Sequence, residues 1–269
     1  MEYATYGERE LLRGEVDALR ELDKQLDKPV HKTWHGFTVE HKRVVKLDLY
    51  GAHVHDISPV GHLKHLRLLD LWETDVSDLT PLKKLKELRV LKLMETNVSD
   101  LSPLKGLKEL KVLWLDDTDV SDVSPLKGLK NLRKLFLMDT DVSDITPLGD
   151  LRKLERLYLD DTDVSDVSPL KGLKNLRTLT LDRTNVSDIS PLRDLKKLES
   201  LKLAMTEVSD LSPLRGLKNL KWLDIRETDV SDLSPLESLE NLKGVAVDYP
   251  MIGKNEEVVE KLRGRGVDV

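Results

Sequence analysis

From Val44 onward an apolar residue opens a new unit every 22 residues, and from Leu66 to Leu242 it is leucine each time. Nine complete units fill residues 44–241, with the consensus L-x-x-L-x-L-x-x-T-x-V-S-D-[LVI]-[ST]-P-L-x-x-L-x-x. In the unit Leu110 to Asn131, Leu113 and Leu115 alternate with Val112, Trp114 and Asp116. That period of two predicts a short strand with its leucines inward and its alternates on the opposite face. One strand per unit, plus one after Leu242, predicts ten parallel strands stacked into a single continuous core.

The polar positions of the unit are equally regular. Thr recurs from Thr74 to Thr228 where the chain leaves each strand, and a hydroxyl there is suited to satisfying backbone groups. In Val120-Ser121-Asp122-Val123-Ser124-Pro125-Leu126, Ser124 is read as an N-cap and Pro125 as the first residue of a short helical turn. Nine of the 11 prolines hold this position, which makes them scaffold. The aspartate of Val-Ser-Asp recurs nine times, from Asp56 to Asp232. An Asx-type turn accounts for it, and a cation-binding ladder is the alternative.

Both ends depart from the repeat, as an open stack requires to cover its terminal leucines. Residues 1–43 form an N-terminal cap, in which Leu11, Leu12, Val16, Leu19, Leu22 and Leu26 predict an amphipathic helix. Trp34, Phe37 and Val39 lead from it into the first repeat strand. Residues 242–269 hold the final strand and a C-terminal cap. There Tyr249-Pro250 breaks the pattern, Asn255 to Leu262 predicts a capped helix with Val258, Val259 and Leu262 inward, and Val267 to Val269 is a candidate strand.

The L-x-x-L-x-L opening is the strand signature of leucine-rich repeats. The run Thr-Asp-Val-Ser-Asp-Leu-Ser-Pro-Leu, residues 228–236, resembles the 22-residue repeats of bacterial internalin-like proteins. The resemblance covers roughly three quarters of the chain. It implies an α/β solenoid: a leucine-rich-repeat curved array with a parallel sheet on the concave face and short helical turns on the convex face. Given Thr in place of the usual Asn, a charged N-terminal helix, and no export signal or wall anchor in the sequence, the family's extracellular receptors are not expected to carry over to this chain.

Composition narrows the function. The chain is 39% apolar and 34% charged, with a net charge of −6, so there is no overall basic footprint for nucleic acid or anionic membrane. Cysteine is absent, which excludes disulfides, Cys-ligated zinc and thiol catalysis. With no apolar leader and no apolar run of about 18 residues, a cytoplasmic location is expected.

Candidate chemistry is sparse. Fifteen of the 17 serines occupy the two fixed Ser positions, and no histidine follows Leu66, so an enzyme is not expected. His31, His35, His41, His53, His55, His62 and His65 gather at the junction of cap and first repeats. His53-x-His55 lacks companions with metal-ligand spacing, so neither a metal nor another cofactor is expected.

Functional information sits in the positions the scaffold leaves free. Mid-strand residues run Asp48, Asp70, Lys92, Trp114, Phe136, Tyr158, Thr180, Lys202 and Asp224. Trp114, Phe136 and Tyr158 predict an aromatic lane across neighbouring strands, extended by Val112 and Trp72, while leucine builds the core. The alternative is cross-strand stacking that only stabilises the sheet. Beside the lane lie Asp116, Asp117, Asp139, Asp160 and Asp161, and the outward strand positions carry thirteen acids against seven bases. These residues predict a monomeric, non-catalytic scaffold that grips a basic protein or peptide near repeats two to six, without nucleic acid or membrane. Near-identity of Leu110–Asn131 and Leu154–Asn175 fits recent duplication equally with a consensus-like engineered scaffold that has no natural ligand.

Overall fold

A computed structural model describes residues 2–32 and 36–269, so Trp34 and His35 lie outside the described residues. The chain forms two compact units, residues 1–132 and 133–269. The first begins with a hairpin, β1 (Tyr3–Tyr6) and β2 (Arg9–Leu12), followed by α1 (Arg13–Asp23), β3 (Phe37–Glu40), β4 (Arg43–Asp48), β5 (Leu68–Asp70), β6 (Val90–Lys92) and β7 (Val112–Trp114). β3 pairs antiparallel with β4, and β4 to β7 run parallel, in a register that aligns Leu47, Leu69, Leu91 and Leu113.

The second unit holds β8 (Lys134–Phe136), β9 (Arg156–Tyr158), β10 (Thr178–Thr180), β11 (Ser200–Lys202), β12 (Trp222–Asp224) and β13 (Gly244–Ala246), then α2 (Tyr249–Lys254) and α3 (Glu256–Gly264). Its strands are likewise parallel. In both units the chain returns from each strand through a short 3-10 turn, such as Ser124–Gly128 or Ser168–Gly172.

Leucine forms this core because every repeat offers the same inward set. Leu110, Leu113, Leu115, Val120, Val123, Leu126 and Leu129 all have 0% exposure. Each buried Leu or Val side chain contributes about 1.5–3 kcal/mol relative to exposure, which a single repeat cannot realise without neighbours. The predicted hydroxyl ladder is present: Thr74, Thr96 and Thr118 donate to the carbonyls of Leu71, Leu93 and Leu115 at 2.6 Å. Thr140, Thr162, Thr184, Thr206 and Thr228 do the same in the second unit.

The Val-Ser-Asp aspartates form Asx turns. Asp100 Oδ1 accepts the Ser102 N–H at 2.7 Å and Oδ2 accepts the Ser102 hydroxyl at 2.8 Å, and Asp210 repeats the arrangement with Ser212. Ser124 therefore differs from its expected role: it is the first residue of its turn, it makes no side-chain cap, and Asp122 two residues earlier supplies the acceptor. Pro125 accordingly stands second in the turn.

These bonds hold Asp56, Asp78, Asp100, Asp144, Asp210 and Asp232 below the ordinary aspartate pKa, chiefly through the N–H and hydroxyl of the Ser or Thr two residues on. A depressed folded-state value stabilises the fold above the unfolded-state value and loses that contribution as pH falls through the folded one. Stability should therefore be flat near neutrality and fall once pH drops below about 4. Thermal unfolding between pH 5 and 2 measures this, and Asp144→Asn with Asp210→Asn should flatten the acid limb. A melting temperature indifferent to pH over that range would contradict the Asx-turn account.

At the N-terminus the expected helix is shorter than its leucine spacing suggests. Gly7, at φ +59°, turns the chain between Tyr6 and Arg9, so Leu11 and Leu12 lie on β2 and the helix spans only Arg13–Asp23. Leu11 still has 0% exposure, because strand alternation and helical spacing both turn it inward there. Leu26 lies beyond the helix. At the C-terminus the break at Tyr249 starts a separate short helix, and Val259 and Leu262 are buried while Val258 is half-buried. Asn255 makes no side-chain cap bond to the helix that follows it. Asp268 extends the sheet instead, donating to the Lys243 carbonyl at 2.9 Å and accepting the Val245 N–H at 2.8 Å.

Candidate protein-binding face

The sheet face opposite the core carries the residues that vary between repeats, and each unit presents its own part. In the first unit Trp72, Val112 and Trp114 are half-buried. The rings of Tyr50 and Trp72 lie 4.7 Å apart at 44°, and the Trp72 indole N–H donates to Glu95 Oε1 at 3.1 Å. A hydrogen bond from Tyr50 to Glu73 raises the Tyr50 pKa. Aromatic edges thus bond to acids one repeat along.

In the second unit Phe136 and Tyr158 occupy partnered positions on β8 and β9. Their rings stack at 4.5 Å with planes 5° apart. Phe136 is only 9% exposed, whereas Tyr158 is half-buried. The aromatic residue most exposed on a strand is Trp222, at 53%, lying over Gly244, where a Cβ would come within 2.6 Å of the indole. Met205 at 45% and Tyr249 at 87% add exposed apolar surface to the same unit.

The candidate acids divide by position. Asp116 is buried, at 5% exposure. Asp160 is half-buried; its Oδ1 accepts the Asp182 N–H at 3.1 Å and its Oδ2 the Thr180 hydroxyl. Asp182 continues the series by accepting the Ala204 N–H at 2.8 Å, and burial, reinforced by the Asp160 charge, raises its pKa. Carboxylates at this position hold the sheet together across repeats. Asp117 and Asp139 are exposed, and Asp161, half-buried, pairs with Arg183 at 3.2 Å.

These three share a backbone feature that hydrophobic patterning cannot reveal. Glu73, Glu95, Asp117, Asp139, Asp161, Arg183, Met205 and Glu227 all have φ between +51° and +57°. This left-handed residue turns the chain out of the strand and stands its side chain on the rim. L-residues pay roughly 1–2 kcal/mol for that conformation, and glycine does not. The one sequence signal is Gly51, which fills the position in the first repeat at φ +62°.

Near the end of the second unit, Arg226 donates to both oxygens of Asp224, at 2.9 and 2.5 Å. Burial pushes the Asp224 carboxyl up, but the Arg226 bonds outweigh it and leave the pKa lowered. Among the described residues the histidines have separate partners. His31 meets Tyr6 edge-on at 4.9 Å, His53 lies 3.8 Å from Asp75, and His65 lies 2.9 Å from Glu87. Among the described residues no three His, Cys, Asp or Glu side chains form a group able to hold a metal. None of the described helices is long and apolar enough to cross a membrane.

A leucine-rich-repeat family model matches residues 152–194 and 174–216. No curated protein matches the chain. Among solved structures, internalin InlF of Listeria monocytogenes aligns with a TM-score of 0.70 and 25% identity, over 95% of this chain and 87% of that one. Internalin C2 of the same organism aligns with a TM-score of 0.59 and 30% identity, over 86% and 92%. The ectodomain of the Arabidopsis thaliana receptor kinase GASSHO1/SCHENGEN3, solved with CASPARIAN STRIP INTEGRITY FACTOR 2, shares the fold at a TM-score of 0.68 and 21% identity, over 86% and 33%. With its 22-residue unit, one strand and one 3-10 turn per repeat, and 30% identity to an internalin along most of both chains, this protein belongs to the internalin-like leucine-rich-repeat proteins.

Proposed function

We propose that the chain is a non-catalytic scaffold that binds a basic protein or peptide on its sheet face. The observation that carries this reading is the placement of large aromatic rings on the solvent side of a sheet whose core is leucine and valine, beside the exposed acids Asp117 and Asp139. Trp and Tyr are enriched among the residues that anchor partners, and acids at the rim steer a basic one. Trp72 with Trp114 anchors the partner on the first unit, and Tyr158, backed by the nearly buried Phe136, on the second. Asp161 contributes charge from the rim, while Asp116 and Asp160 serve by fixing the strands. The plant receptor with its bound factor supports the same use of the fold. The Ser-Pro hydroxyls are engaged in turns with aspartates two residues earlier, and no histidine follows Leu66 to act as a base, which supports a non-catalytic reading.

The test selects peptides from a displayed random library on the intact chain and measures their affinity for variants. Selected peptides should be rich in Lys and Arg with an aromatic or aliphatic anchor. Trp114→Ala with Tyr158→Ala should weaken them about 1,000-fold, the loss of two anchors of roughly 2 kcal/mol each, with unfolding unchanged. Charge reversal at Asp139 and Asp161 should mainly slow association and flatten its salt dependence. If the aromatic variant binds equally well or melts early, the rings serve the sheet, and the search moves to Trp222 and Arg226.

A further inference from the structure

The net charge of −6 conceals a strict sorting of charge within the first unit. Its exit loops, residues 72–79, 94–101 and 116–123, contain nine acids and no base. The segments that return to the next strand, residues 80–90, 102–112 and 124–132, contain nine bases and two acids. Because each repeat makes the same circuit, the bases fall on one flank. Lys83, Lys105 and Lys127 stand at matching positions of three successive 3-10 turns. Strands of neighbouring repeats are about 4.8 Å apart, so these three form a closely spaced column.

Six of these bases form no close ion pair, although the Lys83 charge helps to lower the Asp78 and Asp100 pKa values. Among the described residues Lys83, Lys84, Lys105, Lys127, Arg89 and Lys111 form no ion pair, whereas Arg67, at the start of the flank, is held by Glu40 at 2.7 Å and Glu87 at 3.7 Å. Lys108 is fixed differently: its Nζ donates to the Gly128 carbonyl at 3.2 Å, and a Cβ on Gly128 would collide with it. In the second unit Lys174 and Lys218, at the positions that match Lys86 and Lys108, pair with Asp194 at 3.5 Å and Glu240 at 2.6 Å.

We propose that this return flank of the first unit binds a linear polyanion through its phosphate groups. Lysine is a point-charge phosphate ligand, and a column of unpaired lysines matches a chain of phosphates better than a single one. The return segments contain no aromatic residue, so there is no platform on which bases stack, and recognition stops at the phosphates. A second copy of the chain fits less well. On the acidic flank Asp78 and Asp100 already accept the N–H groups of Thr80 and Ser102, and contact between opposite flanks is head-to-tail, giving a ring or a filament rather than a two-fold dimer.

The experiment titrates long-chain inorganic polyphosphate into the full chain at several NaCl concentrations. With five lysines engaged, log K should fall with log salt at a slope of about −3.5. Single-stranded dT20 and dA20 should bind equally to each other. Lys105→Glu with Lys127→Glu should weaken polyphosphate at least tenfold and flatten the slope by about 1.4, as two lost contacts require. Lys105→Gln with Lys127→Gln gives the same readout if the reversal impairs folding. Lys174→Glu with Lys218→Glu in the second unit should change affinity less than threefold. No binding at 20 mM NaCl, equal affinity in the Lys105/Lys127 variants, or preference for dA20 over dT20 would overturn the proposal. So would a low-salt oligomer that the reversal dissolves while polyphosphate affinity stays unchanged.

Discussion

Deletion of residues 1–43 is expected to turn the chain into an aggregating species. Val16, Leu19 and Leu22 of α1 have 0% exposure, and the helix packs against the turn Ser58–His62 of the first repeat. Without it, Val44, Val54, Ile57 and Val60, now at 0–1% exposure, would meet water. Deletion also removes β3 and exposes the edge of β4, whose unpaired N–H and C=O groups template intermolecular pairing. Glu15 Oε2 accepts the Val44 N–H at 2.9 Å, and Gln25 Nε2 donates to the Asp56 carbonyl at 2.8 Å, so the deletion also strands polar groups of the repeat. Leu19→Asp should reproduce much of the effect, since an unpaired charge in that core costs several kcal/mol. Sedimentation and thermal unfolding of the 44–269 fragment decide the matter. A monomeric fragment melting at the full-length temperature would show that these residues do not cap the stack.

At the other end, Asn255→Ala should cost about 2–4 kcal/mol, because three hydrogen bonds are lost and a half-buried N–H loses its acceptor. Asn255 Oδ1 accepts the Leu233 N–H at 3.0 Å, while Nδ2 donates to the Ser231 carbonyl at 3.0 Å and the Met251 carbonyl at 3.1 Å. One amide thus ties the C-terminal helices to the last complete repeat. Asn255→Asp keeps the acceptor for Leu233 and loses both donors, so it should fall between wild type and alanine. Denaturant unfolding measures the difference, and hydrogen exchange at Leu233 should accelerate in both variants. A change under 0.5 kcal/mol in the alanine variant would mean that the helices are held by Val259 and Leu262 alone.

The repeat scaffold was legible because its causes are local and recur every 22 residues. Leu113 and Leu115 alternate with solvent-side neighbours, Thr118 reaches a carbonyl three residues back, and Asp122 reaches an N–H two residues on. The caps were less legible because they do not repeat. Leu11, Leu12, Val16 and Leu19 satisfy a helix period, but Gly7 closes a hairpin first, and Asn255 reads as a cap while two of its three side-chain bonds reach residues more than twenty positions away.

For the candidate binding face, the sequence alone determined which side chains sit on the side of the sheet away from the leucine core: the aromatic identities of Trp72, Trp114, Phe136 and Tyr158, and the run of acids beside them. Tertiary structure decided what each of them meets. Register brings a residue beside its counterpart 22 positions away, so Phe136 is covered by Tyr158, Arg183 reaches Asp161, and Asp160 reaches Asp182 and Thr180. The same circuit sends the bases of each repeat in the first unit to one flank and the acids to another, a separation that net charge cannot register because it sums over position.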